Sequence, residues 1–268
     1  MKYLPTPFKK LMGIPCKVSR ATLSYFEDEF DLFRRDLEEH FGVAITPEAL
    51  DQSIRLYNRS RELLEQLYEL RKADPPPITG AEVIEVIRAG WIMPREQYNP
   101  LLEALLQEVT SKPDRLAGSD SYRLLVYGSE LDEPDYLKVI EDLGGMVVAD
   151  DLCTGSRYFT LPVEEDGNPL RALAIRYLTR PFCARMHPTS ERVERLQQLA
   201  RDFQVEGVIH ETIKFCDINV GNYPITKAGL DELGLPSLCL EREYIMAGAG
   251  QMKTRVGAFL ESLEGRRG

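Results

Sequence analysis

What this 268-residue sequence lacks closes several classes of function. No window approaches the roughly 18 consecutive apolar residues of a membrane-spanning helix. The opening Met1-Lys-Tyr-Leu-Pro-Thr-Pro7 has no apolar core of signal-peptide length, so the expected compartment is the cytoplasm. There is no block of lysine or arginine, and the net charge is -10. Nucleic acids and anionic membranes both demand a cationic footprint, and neither is an expected partner. Nucleotide-binding loops are missing too, since no G-x-x-x-x-G-K-[ST] occurs and no G-x-G-x-x-G follows a strand. Histidine is scarce: His40 ends a helical stretch, His187 lies in a loop and His210 sits in mid-strand. Each reads as structural or solvated, and position supports no pairing with a serine, cysteine or aspartate.

What is present suits a soluble globular protein. Hydrophobic residues make up 43% and charged residues 28%, enough to bury a sizeable core in one or two domains. Residues 1–19 carry three prolines without periodicity and read as an arm. Ser24 and Glu27 read as a capping box opening a helix, with Phe26, Phe30, Phe33, Leu37 and Phe41 on one stripe and Gly42 as its C-cap. Thr46 and Pro47 open a second helix carrying Leu50, Ile54, Tyr57, Leu64 and Leu67, which stops before Asp74-Pro-Pro-Pro77. Two shorter helices are predicted over about 80–90 and 94–110. The polar, breaker-rich Lys112–Asp120 then marks a boundary, placed between 118 and 119.

Beyond the boundary the period changes. Arg123–Tyr127 and Met146–Ala149 read as buried strands flanking an amphipathic helix from Pro134 to Leu143 that Gly144 closes. Helices over about 169–179 and 190–203, a strand at 207–213, a helix from Thr226 to Gly234, a strand at 235–240 and a helix from Gln251 to Leu263 complete the pattern. Strand-helix alternation predicts a parallel, doubly wound α/β domain of four strands over 119–268, behind a helical N-terminal layer over 1–118.

Few residues are placed to do chemistry. Gly248-Ala-Gly250 offers either a phosphate cradle or a tight turn. Asp150-Asp151, at the end of a strand, can coordinate a cation, bind a hydroxyl or cap the following turn, and capping is the simplest of these. Five cysteines at long spacings, with no sign of secretion, imply reduced thiols rather than a disulfide framework. Cys16 is in the arm, and Cys239 reads as a small hydrophobe inside its strand. Cys153, Cys183 and Cys216 differ, because each follows a regular element and enters a loop, where α/β sheets gather their chemistry. Their spacing is no compact C-x-x-C motif. If they converge, thiolate ligands favour zinc or iron-sulfur over hard cations, and three ligands leave one metal position open.

Several ordered segments resemble one family. They are Leu125-Val-Tyr-Gly-Ser129, Val147-Val-Ala-Asp-Asp-Leu-Cys-Thr-Gly155, Pro169-Leu-Arg-Ala-Leu-Ala174 leading to Arg180-Pro-Phe-Cys183, Gly207-Val-Ile209 leading to Lys214-Phe-Cys-Asp217, and Gly250-Gln-Met-Lys-Thr-Arg255. The sequence is similar to the D-component subunits of 2-hydroxyacyl-CoA dehydratases and the related small subunits of ATP-dependent benzoyl-CoA reductase. The resemblance implies a paralogous heterodimer of flavodoxin-like lobes holding a [4Fe-4S] cluster. It also implies an ATP-dependent iron-sulfur activator that delivers a low-potential electron for radical dehydration or reduction of an acyl-CoA. Cys216 matches the cluster cysteine of the C-terminal lobe, and Cys153 and Cys183 match cysteines found in some relatives. Relatives carry a further N-terminal α/β lobe with two cluster cysteines, so this chain resembles a fragment, half of a split enzyme or a shortened subunit.

The resulting expectation is a flavodoxin-like subunit or C-terminal portion of an iron-sulfur acyl-CoA dehydratase or reductase. The rival is a non-catalytic partner or scaffold subunit that has lost the cluster. A flavodoxin-like nucleotide binder would need a phosphate loop that the sequence does not show. Association with a homologous or identical subunit is expected through the helical layer, where Phe26, Phe30, Phe33, Leu50 and Ile54 offer apolar surface.

Overall fold

Four strands whose buried residues read as nearly continuous apolar runs pair in parallel. In a computed structural model that describes residues 6–116, 120–165, 167–243 and 249–267, these are β1 (Tyr122–Gly128), β2 (Gly145–Asp151), β3 (Gly207–Ile213) and β4 (Ser237–Arg242), in the order β2-β1-β3-β4. That order is the doubly wound, flavodoxin-like one. A sheet covered on both faces needs apolar side chains on both, which is why these strands do not alternate with polar residues. Leu124 and Val126 point to a cluster built with Val147, Ile209 and Leu240, and Leu125 and Tyr127 point the other way, to Val148 and Val208.

Helices fill both layers. α5 (Pro134–Glu141) and α10 (Ala249–Arg267) cover the first face, and Tyr136, Ile140, Val256 and Leu260 belong to its core. On the opposite face lie α8 (Thr189–Asp202) and α9 (Asp217–Asp231), which supply Leu196, Ala200 and Leu230. A further cluster joins Leu63, Leu64 and Leu67 of α2 (Pro47–Leu70), Val83 and Ile87 of α3 (Gly80–Ile92), and Tyr98, Leu102 and Leu106 of α4 (Arg95–Ser111). Among the described residues no helix is long and apolar enough to cross a membrane.

The chain divides into two compact units. One runs up to Arg59 and takes in Leu161–Arg180, while the other holds Ser60–Thr160 and everything from Pro181. In the first unit α1 (Arg20–Phe41), the start of α2 and α7 (Pro169–Thr179) come together. Glu27 accepts hydrogen bonds from Asn168 and Arg171, and the Asn58 amide is bonded to both N–H and carbonyl of Val163. The boundary read at 118/119 falls outside the described residues.

Four readings need correction. Helix α1 begins at Arg20 rather than at Ser24. Its capping box is Ser19 with Thr22, whose hydroxyl returns the bond that a glutamate or glutamine usually makes, so the usual signature is missing. Gly42, at φ 65, ends it as expected. Helix α9 begins at Asp217 rather than at Thr226, because burial of Asn219 and stacking of Tyr223 on His210 hold in helical form a stretch containing Gly221 and Pro224. A short helix, α6 (Ser156–Phe159), escaped the sequence reading altogether. The apolar surface expected on the first helices is also reduced: Phe26 and Ile54 are core residues, and Phe30 and Phe33 are half-buried against Phe26, Tyr177 and Phe8. Tyr25, Leu32, Phe41 and Val43 remain exposed.

Candidate thiol site at the sheet edge

A parallel sheet brings the carboxyl ends of its strands to one edge, and a crevice opens where the winding reverses. Here the chain leaves β1 for β2 and returns to β3 on the other side of β1, so the crevice lies beyond the ends of β1 and β3. Ser129, the first residue after β1, fastens that gap: its N–H donates to the Glu211 carbonyl at 3.1 Å, and its Oγ accepts from the Ile213 N–H at 3.2 Å. Gly128 permits the approach. With φ +145, a Cβ there would stand 1.7 Å from the Glu211 oxygen.

Cys216 sits at this crevice as the residue that caps α9. Asn219, one turn into the helix and buried, donates to the Cys216 Sγ at 3.3 Å and to the Ser129 Oγ at 3.1 Å. Its Oδ1 accepts from Arg192 Nη2 at 3.3 Å. The half-buried Cys216 thiol is thus tied to the turn after β1 and to a buried guanidinium.

Cys153 lies in the turn from β2 to α6. Asp150 shapes that turn, accepting from the Ser156 N–H at 2.6 Å and from the Tyr68 hydroxyl, while Ser156 Oγ donates back to the Asp150 carbonyl at 2.6 Å. Capping, the simplest role read for Asp150, is the one it performs. Gly155 makes the turn possible, since a Cβ there would stand 2.0 Å from Asp150 Oδ1. Thr154 Oγ1 bonds both backbone groups of Leu131 at 2.7 Å, joining the loops after β1 and β2. Cys153 is exposed at its surface, yet the groups packed around its sulfur push the thiol up, against the pull of the Arg157 guanidinium, with Cys183 within electrostatic reach.

Cys183 lies in the loop before α8. Its carbonyl accepts from the Met186 N–H, and Asn222 of α9 donates to the neighbouring Ala184 carbonyl at 3.3 Å. Arg157 is within electrostatic reach of Cys153 and Cys183, and Arg192 of Cys183. Cys153 and Cys183 lie within electrostatic reach of each other, and Cys216 is linked through Asn219 to Arg192. Among the described residues no three or more His, Cys, Asp or Glu side chains form a ready metal-ligating group.

Sequence reasoning missed the charge at the centre of this site. Asp151, fully buried, meets Arg195 Nε at 3.0 Å and the Nε atoms of Arg157 and Arg192 at 3.8 Å. Burial alone would raise its carboxyl, and the guanidiniums of Arg157, Arg195 and Arg192 hold it below the usual range. The only advance signal was Arg157 four residues after Cys153; nothing in composition distinguishes Arg192 from the solvated arginines around it.

The other cysteines stand elsewhere. Cys239, half-buried in β4, lies 3.4 Å from His210 Nδ1. His210 is fully buried between Tyr127 and Tyr223, a structural position. Cys16 is exposed. The Gly248-Ala-Gly250 turn includes Gly248, which falls outside the described residues. Beside α6, a groove of about 500 Å³ is lined by Glu62, Glu65, Glu69 and Asp202 with Lys72 and Arg195. Its acidic wall is a poor match for an anionic ligand.

Comparison with known proteins gives these residues a context. The family model described as 2-hydroxyglutaryl-CoA dehydratase, D-component, matches residues 2–263. The chain is similar to the putative dehydratase subunit YjiM of Escherichia coli (strain K12), at 29% identity over 94% of this chain and 67% of that protein. It is also similar to subunit beta of (R)-2-hydroxyglutaryl-CoA dehydratase of Acidaminococcus fermentans, at 29% identity over 88% of this chain and 63% of that protein. A benzoyl-CoA reductase subunit from Thauera aromatica matches at 26% identity, over 90% of this chain and 63% of that protein. The chain spans about two thirds of the length of these relatives.

Proposed function

The chain belongs to the 2-hydroxyglutaryl-CoA dehydratase, D-component, family, and from that membership we propose that it is a subunit or C-terminal portion of an iron-sulfur enzyme of the 2-hydroxyacyl-CoA dehydratase or benzoyl-CoA reductase type. Its substrate class is an acyl-CoA thioester, and its partners are a paralogous or identical subunit and an ATP-dependent iron-sulfur activator. Cys216, Cys153 and Cys183 are the residues that would hold a [4Fe-4S] cluster.

What supports this reading is the Cys216 thiol held at the crevice edge by Asn219, with Cys153 in the loop after β2 and Cys183 in the loop before α8. The donors fit the cluster in kind. Thiolates are its usual ligands, and three guanidiniums around the one carboxylate of Asp151 leave an excess of positive charge that suits an anionic centre. They do not form a preassembled set, so part of the ligand shell would come from movement of the Cys153 and Cys183 loops or from another polypeptide. When bound, the cluster supplies one-electron transfer. The chain's own residues contribute the rest: Asn219 orients the Cys216 sulfur, Thr154 and Ser129 fix the two loops, and Gly155 lets the Cys153 turn close on Asp150.

Anaerobic iron and acid-labile sulfide analysis of the reconstituted chain tests the proposal, with Cys216→Ala as the variant expected to lose the centre. Wild-type protein that takes up neither iron nor sulfide would favour the rival reading, a partner or scaffold subunit that keeps the family surface without the cluster. In either case the chain alone is not expected to turn over an acyl-CoA, because water exclusion and substrate positioning need more of the pocket than one lobe offers.

A further inference from the structure

The groove beside α6 joins two features that helix surfaces usually keep apart, a row of carboxylates and an aromatic floor. Glu62, Glu65 and Glu69 recur at i, i+3 and i+7, so they stand in one exposed row along α2. Asp202, at the end of α8, lies on the opposite bank. The floor is built from the rings of Tyr68 and Phe159, packed at 4.7 Å between centroids, and from Phe203. A row of glutamates on a helix is commonly a solvated face and nothing more. These glutamates instead border a cavity of about 500 Å³, within the size range of ligand sites.

Two observations say what the groove takes. The first is charge: four carboxylates line it against two cations, and one of those, Arg195, is already paired with the buried Asp151 at 3.0 Å. The second is Lys72, which the chain itself places at the groove as a ligand would sit. Its Nζ lies 2.7 and 2.8 Å from the two Glu69 oxygens and 5.4 Å from the centroid of the Phe203 ring. An ammonium between a carboxylate and an aromatic face is attracted by both. Glu65 stands three residues before Tyr68, and therefore beside it on the helix, so carboxylate and ring are paired there again. A free organic cation needs a pocket that buries most of its surface, which an open groove does not offer. Side chains projecting from a polypeptide are held by their own backbone and need no enclosure. We propose that this groove is a docking site for a basic, partly apolar segment of a partner polypeptide, whose lysine or arginine side chains lie across the rings with their charged ends on the α2 glutamates and Asp202. Such side chains suit the surface because their methylene stems cover the rings while the charged head stays at the rim. The inference is independent of the cluster reading, which concerns the crevice and not this groove.

The test is fluorescence anisotropy of the full chain with a fluorescein-labelled peptide of alternating lysine and leucine. Combined Glu62→Gln, Glu65→Gln and Glu69→Gln substitution is expected to weaken binding about tenfold, since each rim charge contributes modestly. With a net charge of -10, the chain also attracts any cationic peptide in a general way. The control therefore makes the same charge change outside the groove, at the exposed Glu232, Glu241 and Glu264, and is expected to keep an affinity near that of the wild type. Equal weakening in the two variants would assign the binding to overall charge and overturn the proposal, as would a wild-type chain that does not bind the peptide. Spermine that binds in place of the peptide, and is lost in the groove variant alone, would assign the groove to a free polyamine and overturn it as well.

Discussion

Asn219 donates to the sulfur of Cys216 at 3.3 Å from one turn further along the helix that Cys216 caps, and every polar atom of its amide is in use. Nδ2 serves both Cys216 and Ser129, and Oδ1 accepts from the buried Arg192. Asn219→Leu removes all three bonds and leaves Arg192 further exposed to the apolar interior. Each buried group left unsatisfied costs about 1–3 kcal/mol, so the variant is expected to lose about 3 kcal/mol of unfolding free energy in urea titration. Asn219→Asp keeps the acceptor for Arg192 and is expected to lose less. Equal losses would show that the Arg192 bond contributes nothing.

His210 and Glu211 are adjacent on β3, face opposite sides of the sheet, and should tilt the stability curve in opposite directions. Burial, with Arg192 nearby, lowers His210 to about 4 from its usual 6.5. The unfolded chain then binds a proton that the folded one refuses, so stability present above pH 6.5 is lost as pH falls through 4. The fall amounts to about 3 kcal/mol. His210→Gln is expected to flatten that part of the curve, measured as unfolding free energy against pH, and an unchanged slope below pH 6 would contradict the buried neutral imidazole.

Glu211 works the other way. Burial raises its carboxyl to about 7, against the pull of the Arg242 guanidinium that hydrogen-bonds to it. A folded-state value above the unfolded 4.5 means that stability is fully present below pH 4.5 and declines as pH rises through 7. Glu211→Gln, nearly isosteric and permanently neutral, is expected to remove the decline. A Gln variant that still loses stability between pH 5 and 7 to the wild-type extent would assign that slope to another group.

The contrast between these two residues shows what the sequence could disclose. All four strands were legible, because β2 and β3 are β-branched runs buried on both faces and need no partner to be recognised. Gly42, Pro47 and Pro134 marked their helix ends for reasons local to the backbone. Helix α9 was misread because Gly221 and Pro224 argue locally against a helix that His210 and Asn219 secure from a distance. The cysteines were legible as loop thiols at the ends of regular elements. Arg157 and Arg192 were not, since a buried arginine and a solvated one look the same until the sheet places Asp151 between them.

Backbone proximity beside the crevice gives a sharper test. Gly128 has φ +145, and an added Cβ would lie 1.7 Å from the Glu211 carbonyl oxygen. That atom is backbone and already accepts from the Ser129 N–H, so it cannot retreat without opening the β1–β3 ladder. Gly128→Ala is expected to cost more than about 3 kcal/mol, or to prevent soluble expression, because strain and overpacking add. Gly234→Ala is the control: φ is +68 and nothing lies within 4 Å, so only the left-handed penalty of about 1–2 kcal/mol applies. Equal stabilities for the two variants would show that β1 and β3 can part at that point.

Phe215 completes the set, since it is strained without visible return in the isolated chain. It holds φ +67, a left-handed conformation unusual for a bulky residue, and its ring is 93% exposed, so burial does not offset the strain. The left-handed conformation costs a residue of this kind about 1–2 kcal/mol, and asparagine tolerates it better. Phe215→Asn is therefore expected to raise the unfolding free energy by about 1 kcal/mol in urea titration, without changing the slope against denaturant. Strain of this kind beside Cys216, at the N-cap position of α9, is the pattern in which a conformation is kept for function rather than stability. A variant less stable than wild type would mean that the Phe215 ring makes a contact in solution that its exposed position conceals.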